Sequence, residues 1–182
     1  MSQELVNEYK QTYSEQPMLR PKIGSVKLNC SLGLAGAPLE RAKTIIRNIA
    51  KQEPVETFAK QTWRSWGIRK GQEVGVTVTV RGKPAYELLL RLLHAKVYRL
   101  KRSSIDQQGN FGFGISEHID IPDQNYDPNL GIIGFDVIVQ MERAGYRVKK
   151  RKYRKNNIGK NQTLTPLETE LFLIENYGVE LI

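Results

Sequence analysis

The sequence predicts an α+β fold: a mostly antiparallel sheet with helices packed on one face and an open polar face on the other. Three observations carry this. Residues 26–32 and 74–80, and the run Ile133 to Met141, alternate apolar and polar positions, so each strand has one buried and one solvated side. Residues 38–52 and 84–96 instead space their apolar residues for helices. The order strand, helix, strand, helix, then strands places the helices on one side of a sheet. With 40% hydrophobic residues in 182, the chain can form a real core.

Along the chain, residues 2–13 read as a short amphipathic helix through Leu5, Val6 and Tyr9, and Pro17 and Pro21 mark a connector. In the first strand Val26, Leu28, Cys30 and Leu32 alternate with Lys27, Asn29, Ser31 and Gly33. Pro38 suits the first turn of the next helix, whose stripe is Leu39, Ala42, Ile45, Ile46, Ile49 and Ala50, with Pro54 as its stop. Residues 57–73 read as an irregular basic loop. Val74, Val76, Val78 and Val80 then alternate with Gly75, Thr77, Thr79 and Arg81, and β-branched side chains favour a strand. The helix opened by Pro84 is apolar on most sides, which predicts deep burial. Phe111, Phe113 and Ile115 form another strand, and Phe135, Val137 and Val139 share one face of the last long one. Thr165 and Glu168 have capping-box spacing, with Pro166 first in a C-terminal helix whose apolar face is Leu167, Leu171 and Ile174.

The 28 Lys and Arg against 19 Asp and Glu leave a net charge of +9, a field that attracts polyanions. Membrane insertion is not expected: the densest apolar run, Leu88 to Ala95, is broken by Arg91 and His94. No secretory signal is expected near Glu4 and Glu8, which points to a cytoplasmic protein. A single cysteine, Cys30, excludes an internal disulfide and a cysteine-rich zinc site.

Three groups of residues are candidates for binding. Lys27, Asn29, Ser31, Thr77, Thr79 and Arg81 would line the open face, where amides and hydroxyls meet bases and 2′-hydroxyls while cations meet phosphates. The same pattern suits an ordinary solvated face. Residues 143–160 hold nine basic residues and no acid, including Arg147, Lys149, Lys150, Arg151, Lys152, Arg154 and Lys155, with Tyr146 and Tyr153 available for stacking. Trp63 and Trp66 lie among Lys60, Arg64, Arg69 and Lys70, a mixture that suits RNA, although a tryptophan can equally anchor a loop to the core.

Catalysis finds little support. Gly109-Asn110-Phe111-Gly112-Phe113-Gly114 lacks the strand-to-helix setting of a nucleotide fingerprint. Glu117, His118, Asp120 and Asp123 make a weak metal set, so no metal and no cofactor are expected. The competing functions are a general RNA-binding chaperone and a metal-dependent nuclease built on Glu117, Asp120 and Asp123.

Three stretches carry a family likeness. They are Val26 to Gly33 with the following helix; Gly67-Ile68-Arg69-Lys70-Gly71 through Val76-Thr77-Val78-Thr79-Val80-Arg81-Gly82; and Gly109 to Ile115, then Ile121-Pro122, Tyr126-Asp127 and Gly131 to Val139. On these the chain resembles the ribosomal protein L-five family of the large subunit. The resemblance implies a structural protein, not an enzyme, that binds 5S rRNA in the central protuberance through positions matching Asn29, Gln52 and Thr79. It implies that the loop Gln61, Thr62, Trp63, Arg64, Arg69 and Lys70 approaches P-site tRNA. Further partners would be large-subunit rRNA and neighbouring ribosomal proteins. The segment from Tyr146 looks like the archaeal and eukaryotic branch, so residues 1–142 would be the 5S rRNA-binding domain and 143–182 a basic extension with a closing helix.

Overall fold

The computed structural model describes residues 3–33 and 36–182. Within them run α1 (Gln3–Glu15), β1 (Lys22–Ser31), α2 (Ala37–Ala50), β2 (Val55–Phe58), β3 (Glu73–Val80), α3 (Lys83–Ala95), β4 (Arg99–Leu100), β5 (Phe111–Ile115), β6 (Phe135–Glu142), α4 (Arg147–Lys150), α5 (Pro166–Tyr177) and β7 (Glu180–Leu181). The fold is α+β, with a five-stranded antiparallel sheet in the order β2-β3-β1-β6-β5 and a separate β4-β7 pair. The expected N-terminal helix is α1; its Leu5 and Val6 side chains lie outside the described residues. The chain forms two compact units, one of Ser25–Val97 with Gly112–Ile138, the other of Met1–Gly24, Tyr98–Phe111 and Val139–Ile182.

In the first of these units β1 and β3 pair antiparallel, with Val26 opposite Val80, Leu28 opposite Val78 and Cys30 opposite Val76. All six side chains are at most 5% exposed. Burying each large one contributes roughly 1.5–3 kcal/mol. Helix α2 supplies the facing layer with the expected stripe, Leu39 to Ala50. It stops before Pro54, because Lys51 takes a left-handed conformation (φ 53°) and its N–H closes on the Arg47 carbonyl. The Arg91 guanidinium of α3 donates to the Ile49 carbonyl at 3.0 Å, satisfying an end of α2 that the helix itself leaves open.

Two expectations change here. The segment after Pro54 forms β2, an edge strand paired antiparallel with β3 and tied to α2 by a Lys43–Glu56 ion pair of 2.6 Å. Helix α3 is narrower in its burial than its composition implied. Ala85, Leu88, Leu89, Leu92 and Leu93 are buried, while Tyr86 and Leu90 face outward.

The other unit is organised around α5. Its capping box forms as expected: Thr165 accepts from the Glu168 N–H, and the Glu168 carboxylate accepts from the Thr165 N–H at 3.0 Å. Its buried face does not follow the expected leucine stripe. Leu167 and Ile174 are exposed, and the helix buries Glu168, Thr169, Glu170, Leu171 and Leu173. Glu168 and Thr169 go inside because each meets a hydrogen-bond partner from elsewhere in the unit, while Glu170 has only an ion-pair neighbour. The Arg143 guanidinium and the Tyr13 hydroxyl both donate to Glu168, the latter at 3.0 Å. Thr169 donates to the Gly109 carbonyl at 2.8 Å, and Glu170 lies 3.8 Å from Arg102. Burial, with the Glu168 carboxylate beside it, pushes the Tyr13 phenol above its ordinary range.

The glycine-rich segment is explained by the same packing. Gly109 has φ 76°, and a Cβ there would come within 2.5 Å of the Thr169 hydroxyl oxygen. Asp106 accepts from the N–H groups of Gln108 and Asn110, each at 2.8 Å, and the Asn110 side-chain carbonyl accepts from the Met141 N–H. The motif is thus a turn clamped to β6 and α5.

Candidate nucleic-acid interface

Strand register assembles the polar face. Lys27 stands opposite Thr79, and Asn29 opposite Thr77, on the side of β1 and β3 away from the buried valines. The Thr77 hydroxyl donates to the Leu28 carbonyl at 3.0 Å, so its remaining capacity is as an acceptor. Among the described residues the side chains of Lys27, Asn29 and Thr79 have no internal hydrogen-bond partner. They are half-buried, hence held in place yet open to a ligand.

Ser31 and Arg81 were expected on this same face, and Gln52 only from the family resemblance. Ser31 ends β1 opposite Gly75 and is exposed. Arg81 lies one residue beyond β3, also exposed. Gln52 follows α2 in the helical layer, beside Pro84 and Glu87, and does not join the strand-face group. Sequence reading missed Val55 and Thr57, which register places opposite Thr77 and Gly75 on the same face. Four residues with no clean alternation gave β2 no signal. The missing Cβ of Gly75 makes room for the close approach of the paired chain: a Cβ there would lie 2.5 Å from the Cys30 carbonyl oxygen and 3.0 Å from the Thr57 hydroxyl.

The basic loop joins β2 to β3 and is more regular than its composition implied. The Trp63 N–H donates to the Ile68 carbonyl at 2.8 Å, the reverse bond is 3.1 Å, and a 3₁₀ turn spans Arg64–Trp66. Thr62 accepts from the Lys70 N–H at 3.1 Å, fixing the return. Gln61, Arg64, Arg69 and Lys70 are exposed; so are both tryptophans, Trp63 at 51% and Trp66 at 71%. Neither tryptophan anchors the loop in the core. Their rings lie 5.6 Å apart, tilted by 30°.

In the other unit the basic segment divides. Arg143 is buried against Glu168 and belongs to the core. Lys150 pairs with Glu142. Arg147, Lys149, Arg151, Lys152, Arg154 and Lys155 are exposed. Tyr146 is held internally, its hydroxyl donating to the Gln162 carbonyl and accepting from the Leu164 N–H, whereas Tyr153 is 77% exposed beneath the Lys152 ammonium. Of the two tyrosines, Tyr153 is exposed and Tyr146 half-buried.

His118 is 3% exposed, and burial pushes its imidazole below the ordinary range. Cys30 is buried with its thiol donating to the Gly134 carbonyl, and burial pushes that thiol up. Among the described residues no three His, Cys, Asp or Glu side chains gather as a metal site, and no helix is long and apolar enough to cross a membrane.

A basic α+β protein with an uncovered polar strand pair and exposed cationic segments has the build of a polyanion-binding protein. Comparison with known families is more specific: the profile described as Ribosomal protein L5 matches residues 16–69, and that of the ribosomal L5P family C-terminus matches residues 73–165. Among its relatives are three archaeal proteins named large ribosomal subunit protein uL5. The one from Aeropyrum pernix is 41% identical over 98% of this chain and 94% of its own. That from Methanococcus maripaludis is 40% identical over 96% and 98%, and that from Nitrosopumilus maritimus 39% over 91% and 96%. The chain belongs to the ribosomal protein L5 family. It is therefore an RNA-binding protein of translation, from a family that is not one of enzymes.

Proposed function

We propose that this protein is a structural constituent of the large ribosomal subunit, and so of the cytoplasmic ribosome, that binds 5S rRNA and helps attach it in the central protuberance. The observation that carries the proposal is the strand-face group. Lys27 stands opposite Thr79 and Asn29 opposite Thr77, and the Asn29 and Thr79 side chains are unengaged among the described residues. Cations supply most of the affinity by releasing counterions, while unengaged amides and hydroxyls fix the register on the RNA. Other large-subunit rRNA and neighbouring ribosomal proteins are the remaining proposed partners, with P-site tRNA as the proposed contact of the Gln61–Lys70 loop.

The test is a gel-shift titration of 5S rRNA against a size-matched unrelated RNA at near-physiological salt. Strong preference for 5S rRNA is expected, and Asn29→Ala with Thr79→Ala should weaken it about tenfold with the thermal transition unchanged. A second reading, a general RNA-binding protein, draws on the exposed cations of residues 147–155. Equal affinity for both RNAs would select it.

A further inference from the structure

The tryptophan loop borders an open cleft that meets the strand-face candidates only at Ser31. Its volume is about 440 Å³, within the roughly 300–1,000 Å³ range of small-molecule sites. Trp63 and Trp66 form one wall, and Ile68 and Val74 continue the apolar surface. Gly33 lies at the floor in a left-handed conformation (φ 68°), with its missing Cβ 4.0 Å from the Ile68 methyl. Two exposed indoles side by side are costly in water and point to an occupant that covers them. The loop's charge identifies the charge of that occupant. Lys60 lines the cleft, and Arg64, Arg69 and Lys70 belong to the same loop. All four are exposed, residues 59–72 contain no acid, and none of the four has a carboxylate partner among the described residues.

We propose that this cleft is a stacking subsite for one unstacked nucleobase of single-stranded RNA, with Lys60 and the loop's other cations on the flanking phosphates. A nucleotide combines a flat π-face with adjoining negative charge at this scale, and base–indole stacking tolerates any base. The inference deepens the part of the proposed function that gives the loop to RNA, and rests on it, but it is independent of which RNA the strand face holds.

The chain has two tryptophans, and both line this cleft, so indole fluorescence reports on it alone. The full chain is titrated with hexameric oligoadenylate, an abasic phosphodiester strand of equal length, and hexaglutamate. Oligoadenylate should quench the emission and shield it from acrylamide, and the abasic strand should bind about tenfold more weakly. Trp66→Leu, at a largely exposed position, should lower oligoadenylate affinity about tenfold as reported by Trp63. Equal quenching by the abasic strand would reduce the site to its charges. A response to hexaglutamate matching that to oligoadenylate would make it a peptide site. No response to oligoadenylate would overturn the proposal outright. The acrylamide measurement needs no variant, so a misfolded Trp66→Leu protein leaves the test intact. Loss of 5S rRNA preference with base-dependent quenching retained would remove the strand-face reading alone. Retained preference without quenching would remove this one alone.

Discussion

Glu168 does three jobs with one carboxylate: it caps α5, accepts from the Tyr13 phenol and neutralises Arg143. The Arg143 and Glu168 side chains are 5% and 6% exposed. Truncating one member of such a buried pair leaves the other uncompensated, which costs far more than losing a neutral hydrogen bond. Arg143→Met should therefore destabilise the protein by about 3–5 kcal/mol, and Tyr13→Phe, which loses one hydrogen bond to the carboxylate, by about 1.5–3 kcal/mol. Urea unfolding of the two variants checks the ordering, and near-equal losses would show that the ion pair is well replaced by packing. From sequence alone, Arg143 was indistinguishable from the cations that follow it. What separates it is a carboxylate 25 residues away, and no local pattern reports that.

At the level of elements, legibility followed period and length. The valine alternation of β3 and the stripe of α2 were readable because several successive residues repeat one burial decision. Strand β2 was not, with four residues whose pairing depends on β3. Nor was the buried face of α5, where hydrophobicity pointed to Leu167 and Ile174 while buried polar partners chose Thr169 and Glu170. The end signal of α5 was local and was read correctly. Thr165→Ala removes the hydroxyl that caps it and should cost about 1 kcal/mol, seen as a lowered thermal midpoint. An unchanged midpoint would mean that tertiary packing alone holds the helix start.

Across the whole chain, the charge of +9 is concentrated rather than diffuse. The exposed cations at 147–155 form one segment and those at 60–70 another. Deleting residues 143–182 would not isolate the first, because it would also remove Arg143, Leu171 and Leu173 from a packed unit. Replacing Lys149, Arg151, Lys152 and Lys155 by Gln keeps the fold's buried residues. It should make log affinity for 5S rRNA fall less steeply with log salt, by roughly 0.7–0.9 for each cation that meets a phosphate. An identical slope would assign the segment to protein or solvent. The strand-face candidates Asn29 and Thr79 were legible through alternation. Thr57 and the tryptophan cleft were not, since both depend on how β2 and its loop return onto β3.

The pairing of β4 with β7 and the bond from Tyr13 to Glu168 set a timetable for the nascent chain. Tyr13 waits for a residue 155 positions later, and Arg99 and Leu100 wait for Glu180 and Leu181. The unit of Ser25–Val97 and Gly112–Ile138, by contrast, draws on no segment after Ile138. The expected order of maturation is therefore vectorial: that unit can gather its valine core first, while α1, made earliest, is completed last.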